Sequence, residues 1–237
     1  MGTIINVVAI IIGTLIGVIF KKGLPEKIQK MVMLALGLGL IAISLGYFMK
    51  DFFEIVEGVI KTRYDLLIII SLVFGSLLGE WIDIDERLNQ WAHRVETKYK
   101  LPPLAKGFIA ASLIFCVGAM AIIGSIQDGI YGDSNILIIK SALDFVTAMV
   151  LASVLGIGVI FSAVSVLIYQ GSITLLATAV QSFLTQDMLL SLSVVGNILL
   201  VAIGINFTEI RRIKVANMLP SLILPILYFL IVSWIRG

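Results

Sequence analysis

The chain has 237 residues, 59% of them hydrophobic and 14% charged, with a net charge of +2 and a mean hydropathy of +1.10. These values exclude an ordinary water-soluble domain, and so small a net charge leaves no electrostatic footprint for nucleic acid. A single cysteine, Cys116, also excludes an intrachain disulfide and a multi-cysteine metal centre.

In chain order, uncharged apolar runs cover residues 3–20, 31–49, 66–79, 107–127, 188–208 and 215–235. A helix needs roughly 20 such residues to cross a bilayer, so these are six candidate spans. The first run has no basic leader and is expected to stay in the mature protein. Residues 145–186 carry no charge either and hold one further span plus a second piece. The expectation is an all-α polytopic transmembrane helix bundle in a single integral membrane domain, residues 1–237. It has about seven spans plus one broken or re-entrant segment within 161–186, with eight full spans as the alternative.

Basic residues orient the bundle, because Lys and Arg accumulate on the cytoplasmic side. Lys21, Lys22, Lys27 and Lys30 follow the first run, and Arg87, Arg94, Lys98, Lys100 and Lys106 follow the third. Both loops are therefore expected in the cytoplasm of a bacterial plasma membrane, with the N-terminus outside. Arg211, Arg212 and Lys214 fit this rule only if residues 161–186 cross. Within the cytoplasmic linker 80–106, Ile84, Leu88, Trp91, Val95 and Tyr99 recur at helical spacing, which predicts an amphipathic helix along the membrane. Phe52, Phe53, Val56 and Ile60 predict a shorter one on the outer side. Pro102-Pro103 then marks a hinge between the two halves of the chain.

Three motifs share the order small, hydroxyl, aliphatic, aliphatic, glycine: Gly13 to Gly17, Gly75 to Gly79 and Ala152 to Gly156. Small residues four apart let helix backbones approach closely in lipid, so Gly13, Gly17, Gly75, Gly79, Gly118 and Gly156 are expected at packing seams. A polar residue precedes each motif: Asn6, Asp65 and Asp144. This spacing suggests a two-helix unit occurring three times, which would require residues 161–186 to re-enter.

Charges inside apolar segments cost roughly 2.5–3.5 kcal/mol each unless paired or hydrated, which draws attention to residues 127–144. Lys140 and Asp144 are four apart on one helix face and can pair. They are read either as an interfacial pair fixing helix depth, with Lys140 snorkelling outward, or as a substrate or ion site with Gln127 and Asp128. Tyr169-Gln170-Gly171-Ser172 reads as a helix break whose freed backbone groups would join that site through Gln170 and Gly171. Beyond it, Thr174, Thr178, Gln181 and Thr185 form a polar stripe for a pathway or for interhelical hydrogen bonds. His93 is expected as a solvated surface residue, and Cys116 as a packing residue.

Neither a nucleophile with a base nor metal-ligand spacing is present, so no enzymatic activity, no metal and no cofactor are expected.

Residues 115–120 (Phe-Cys-Val-Gly-Ala-Met), 124–129 (Gly-Ser-Ile-Gln-Asp-Gly), 140–144 (Lys-Ser-Ala-Leu-Asp) and 169–171 (Tyr-Gln-Gly) resemble the hallmark segments of the domain-of-unknown-function 554 family. These are bacterial multi-pass membrane proteins of the YdfK and YqgA type. The resemblance runs from Gly2 and Asn6 to Asn217 and Pro220, and it implies a bacterial plasma-membrane protein without assigning an activity. The residues themselves point to a small-solute or ion transporter or channel, its partners being the bilayer and a small solute or cation. The alternative is a non-catalytic scaffold or regulatory subunit, and the small-residue seams also allow a homo-oligomer.

Overall fold

A computed structural model shows an all-α polytopic bundle in two compact units. It describes every residue except Lys22, Leu24, Leu101, Gly118, Ser182, Phe183 and Gly237, and every side chain of those except Ala119, Val180, Gln181, Trp234 and Arg236. Among the described residues, seven stretches are long and apolar enough to cross a membrane, and one bent helix pair adds an eighth candidate. The first unit holds residues 1–33 and 88–182, the second residues 34–87 and 183–237. Their boundaries fall within two helices and at 182/183, not at the expected Pro102-Pro103 hinge.

In the first unit, α1 (Gly2–Lys21) lies along α7 (Asn135–Leu155). Gly2 faces Leu137, Gly13 faces the Phe145 carbonyl, and Gly17 faces the Met149 carbonyl and the Ala152 methyl. The paired numbers rise together, so the two helices run parallel. Any side chain at Gly13 or Gly17 would strike backbone, and that close approach replaces the hydrophobic drive that helices lack in lipid. Ala152 thus belongs to the same seam as Gly17. Gly156 does not: with φ +82 and ψ −159 it ends α7 in a conformation nearly confined to glycine. The motifs therefore do not build three equivalent helix pairs.

A short 3-10 turn, Ile157–Phe161, leads into α8 (Ser162–Leu175). Gly156 sits beside Lys21, whose Nζ donates to the Val154 carbonyl over 2.8 Å, while Thr174 at the far end meets Thr3. The segment 157–175 therefore travels the length of α1 and is long and apolar enough to cross a membrane, the path of the eight-span alternative. The break foreseen at Gln170-Gly171 is absent: α8 continues through Tyr169 to Ser172. Leu176 ends α8, and a short α9 (Ala177–Gln181) follows. Thr185 instead caps the next long helix, so the polar stripe is divided among separate elements; the Gln181 side chain lies outside the described residues.

The broken segment is α5 (Ala105–Cys116) with α6 (Ala119–Tyr131), bent by 62° where Val117 turns extended at φ −80, ψ 127. Gly107 abuts Gly158 and Val159 at one end, and Gly129 meets the Thr174 carbonyl at the other. Between the units' shares of the chain, α4 (Ile84–Tyr99) forms as its periodicity predicts. Its Trp91 packs on Phe108 and Phe161, so part of its apolar face is spent on protein.

In the second unit, α2 (Glu26–Phe52) meets α10 (Gln186–Phe207) where Gly37 and Gly204 bring backbones together, and Asp51 accepts from Ser193 Oγ. The expected short outer helix is instead a hairpin, β1 (Phe53–Val56) with β2 (Val59–Thr62). Glu57 and Gly58, both at positive φ, form the two-residue turn that strand twist favours, and the β-branched Ile55, Val56, Val59, Ile60 and Thr62 suit the strands on either side. Next, α3 (Asp65–Ile82) packs antiparallel on a 3-10 segment, Val215–Leu222, which continues as α11 (Ile223–Arg236). Gly75 faces the Ser221 backbone and Gly79 faces the Asn217 carbonyl. Asn217 closes this seam, donating to Glu80 over 2.6 Å and accepting from the Asp85 N–H over 2.6 Å.

Candidate functional site in a buried charged and amide centre

Lys140 and Asp144 project from one face of α7 and pair at 2.5 Å with their side chains 8% and 9% exposed. Lys140 therefore turns inward to Asp144 instead of snorkelling to the surface. Asp144 is the tenth residue of α7, about 14 Å along it at 1.5 Å per residue. Leaving either charge alone at such a place costs about 3–5 kcal/mol, so the pair stands or falls together.

Two amides from other helices complete the centre. Asn6 of α1 donates Nδ2 to Asp144 Oδ2 over 2.9 Å and to Gln170 Oε1 of α8 over 3.4 Å. The carboxylate dictates this orientation: facing it, Asn6 must present its donor, and Gln170 must then present its acceptor to Asn6. Asn6 Oδ1 and Gln170 Nε2 are left over, and both are buried without a partner among the described residues. Each such orphan costs roughly 1–3 kcal/mol. The residues Lys140, Asp144 and Gln170 singled out from sequence thus meet in space. Asn6, noted only as preceding a seam, is the member that sequence reasoning missed; no local signal separates it from Asn197 or Asn206.

Asp128 lies elsewhere. Its carboxylate accepts from the Gly2 N–H over 3.1 Å, from Ser134 Oγ, and from the Met1 ammonium over 2.9 Å. That is one turn of α1 from the Asn6 contact, so Asp128 and Asp144 occupy two separate sites. Gln127 is half-buried on α6 and makes no hydrogen bond to either cluster among the described residues. A methyl group added at Gly171 would find open space, so Gly171 supplies neither a break nor a close approach. Gly118 lies outside the described residues.

The α5–α6 break reaches this centre. Cys116, the last residue of α5, is within electrostatic range of Lys140, Asp144 and Tyr169. The C-terminal end of α5 thus lies near the pair, on a helix that packs against α7. Nearby, Ser112 and Ser165 share a 2.9 Å hydrogen bond between α5 and α8. His93 is 75% exposed beside Glu96, as a surface residue should be.

A family model described as protein of unknown function (DUF554) matches residues 1–230. The chain belongs to the DUF554 family. Among family relatives, the uncharacterized membrane protein YdfK of Bacillus subtilis (strain 168) is 35% identical over 94% of this chain and 93% of its own length. The uncharacterized protein YqgA of Escherichia coli (strain K12) is 29% identical, covering 94% of each chain. No solved structure matches this DUF554 chain.

Proposed function

We propose that this protein carries a small polar solute or ion across the membrane through its first unit. The observation that supports this is the Asn6, Lys140, Asp144 and Gln170 centre, buried between three apolar helices and adjoining a broken helix. Packing alone gives no reason to retain an ion pair and two half-satisfied amides there, since well-packed apolar residues would be at least as stable. Discontinuous helices next to intramembrane polar groups are a recurrent way to bind cargo between repeats or bundles. The scaffold reading is weakened because Gly13, Gly17, Gly37, Gly75, Gly79 and Gly204 are occupied by contacts within the chain.

The same proposal sets the protein in the bacterial plasma membrane with its N-terminus outside. Eight crossings then bring the loops holding Lys21, Arg87 and Arg211 all to the cytoplasmic side, in accord with the charge rule. The test is solute counterflow and ion flux in proteoliposomes: Asp144→Asn should abolish a flux that the parent protein supports. A parent protein that is tight to every solute and ion tried overturns the reading.

A further inference from the structure

The transport centre carries one fixed cation, one fixed anion, one unused acceptor and one unused donor. Lys140 and Asp144 neutralise each other, while Asn6 Oδ1 and Gln170 Nε2 have no partner among the described residues and are fully buried. The unused acceptor belongs to the same amide whose Nδ2 donates to Asp144. The unused donor sits on the adjoining amide of Gln170.

A bare metal cation matches only half of this. It would occupy Asp144 and Asn6 Oδ1 but strand the Lys140 ammonium in an apolar interior and leave Gln170 Nε2 unpaired, the costly outcome for buried charge and buried donor alike. A bare anion fails in the mirror-image way at Asp144. A molecule bearing both an ammonium and a carboxylate replaces one internal ion pair by two, uses both orphan amide atoms and adds no net charge.

We propose that the cargo is a small zwitterion of the amino-acid type. Its ammonium pairs with Asp144 and Asn6 Oδ1, and its carboxylate pairs with Lys140 and Gln170 Nε2. Without cargo, the site closes on itself through the Lys140–Asp144 pair. This deepens the transport reading and rests on it for its role in the cell, while the binding itself is measurable without transport.

The test is thermal unfolding of the purified full chain, followed by tryptophan fluorescence, against glycine, γ-aminobutyrate, glycinamide (cation only), N-acetylglycine (anion only) and sodium chloride. A saturable rise in Tm with glycine or γ-aminobutyrate is expected, with single-charge compounds binding about tenfold or more weakly, as expected when a buried partner is left unpaired. The response should vanish in Lys140→Met with Asp144→Leu, a double substitution that keeps the interior neutral and filled; this also removes any general solute effect.

Equal stabilisation by glycinamide or sodium, lost in Asp144→Asn, overturns the zwitterion while leaving an ion transporter in place. No response to any zwitterion in a folded protein overturns it too. Flux that persists in the same preparation would then keep the transport reading separate.

Discussion

Asn6 on α1 and Lys140 on α7 converge on one atom, Asp144 Oδ2, at 2.9 Å and 2.5 Å. A carboxylate oxygen shared between an ammonium and an amide ties the first helix of the chain to the seventh in the order of the fold. Removing the ammonium alone leaves a buried anion. Lys140→Met should therefore destabilise the protein by about 3–5 kcal/mol, while Lys140→Met combined with Asp144→Leu should return to within about 2 kcal/mol of the parent. Denaturant titration of both variants checks this, and a double variant no better than the single one would contradict it.

Gly17 and Gly171 make a matched comparison. At Gly17 a methyl group would run into the Met149 carbonyl, whereas at Gly171 it meets nothing within 4 Å. Gly17→Ala should cost about 1–3 kcal/mol by overpacking, while Gly171→Ala should be neutral or stabilise α8 by up to about 1 kcal/mol. Thermal unfolding in detergent distinguishes the two.

Gly156 ends α7 at φ +82, ψ −159, which an L side chain adopts only under strain. Gly156→Ala should lose about 1–3 kcal/mol whatever space is available. A Tm equal to that of the parent would show that the turn between α7 and α8 is formed differently.

Tyr64, at the start of α3, has its phenol pushed up to about 12 by burial, helped by a hydrogen bond with Asp187. Its folded pKa lies above the unfolded value, so the folded state holds the proton more tightly. The stabilisation is complete below about pH 10 and is lost as pH climbs through about 12. In Tyr64→Phe the fall in stability across that window should be shallower than in the parent, measured by unfolding at stepped pH.

The path of α8 predicts labelling. Thr174 meets Thr3, and Gly156 meets Lys21 at the opposite end of the unit. With Cys116 replaced, single cysteines at Thr174 and Asn135 should react with an impermeant reagent from one side of the membrane, and a cysteine at Lys21 from the other. Thr174 reacting with Lys21 would restore the re-entrant path.

Hydropathy and small-residue spacing are properties of neighbouring residues, and they sufficed for the membrane class, most span positions, the seams at Gly13, Gly17, Gly75 and Gly79, and the helix at 84–99. Lys140 and Asp144, four apart on one helix, were legible for the same reason. The hairpin at 53–62 was misread because Phe52, Phe53, Val56 and Ile60 also fit a short helical period, while the turn at Glu57-Gly58 that makes it a hairpin was overlooked. The break was assigned to Gln170-Gly171 because a polar glycine step looks like an interruption; in the fold, α8 runs through it with Gln170 Oε1 accepting from Asn6, and Val117 interrupts instead.

The sequence by itself determined that this polypeptide dissolves in lipid and where its backbones can touch, since side-chain size and polarity act at short range. Only the tertiary structure decided that Asn6 meets Asp144 and Gln170, across 138 and 164 positions, and that Asp128 does not. Such pairings depend on which helices run parallel and how deep each begins, quantities fixed by packing across the whole unit.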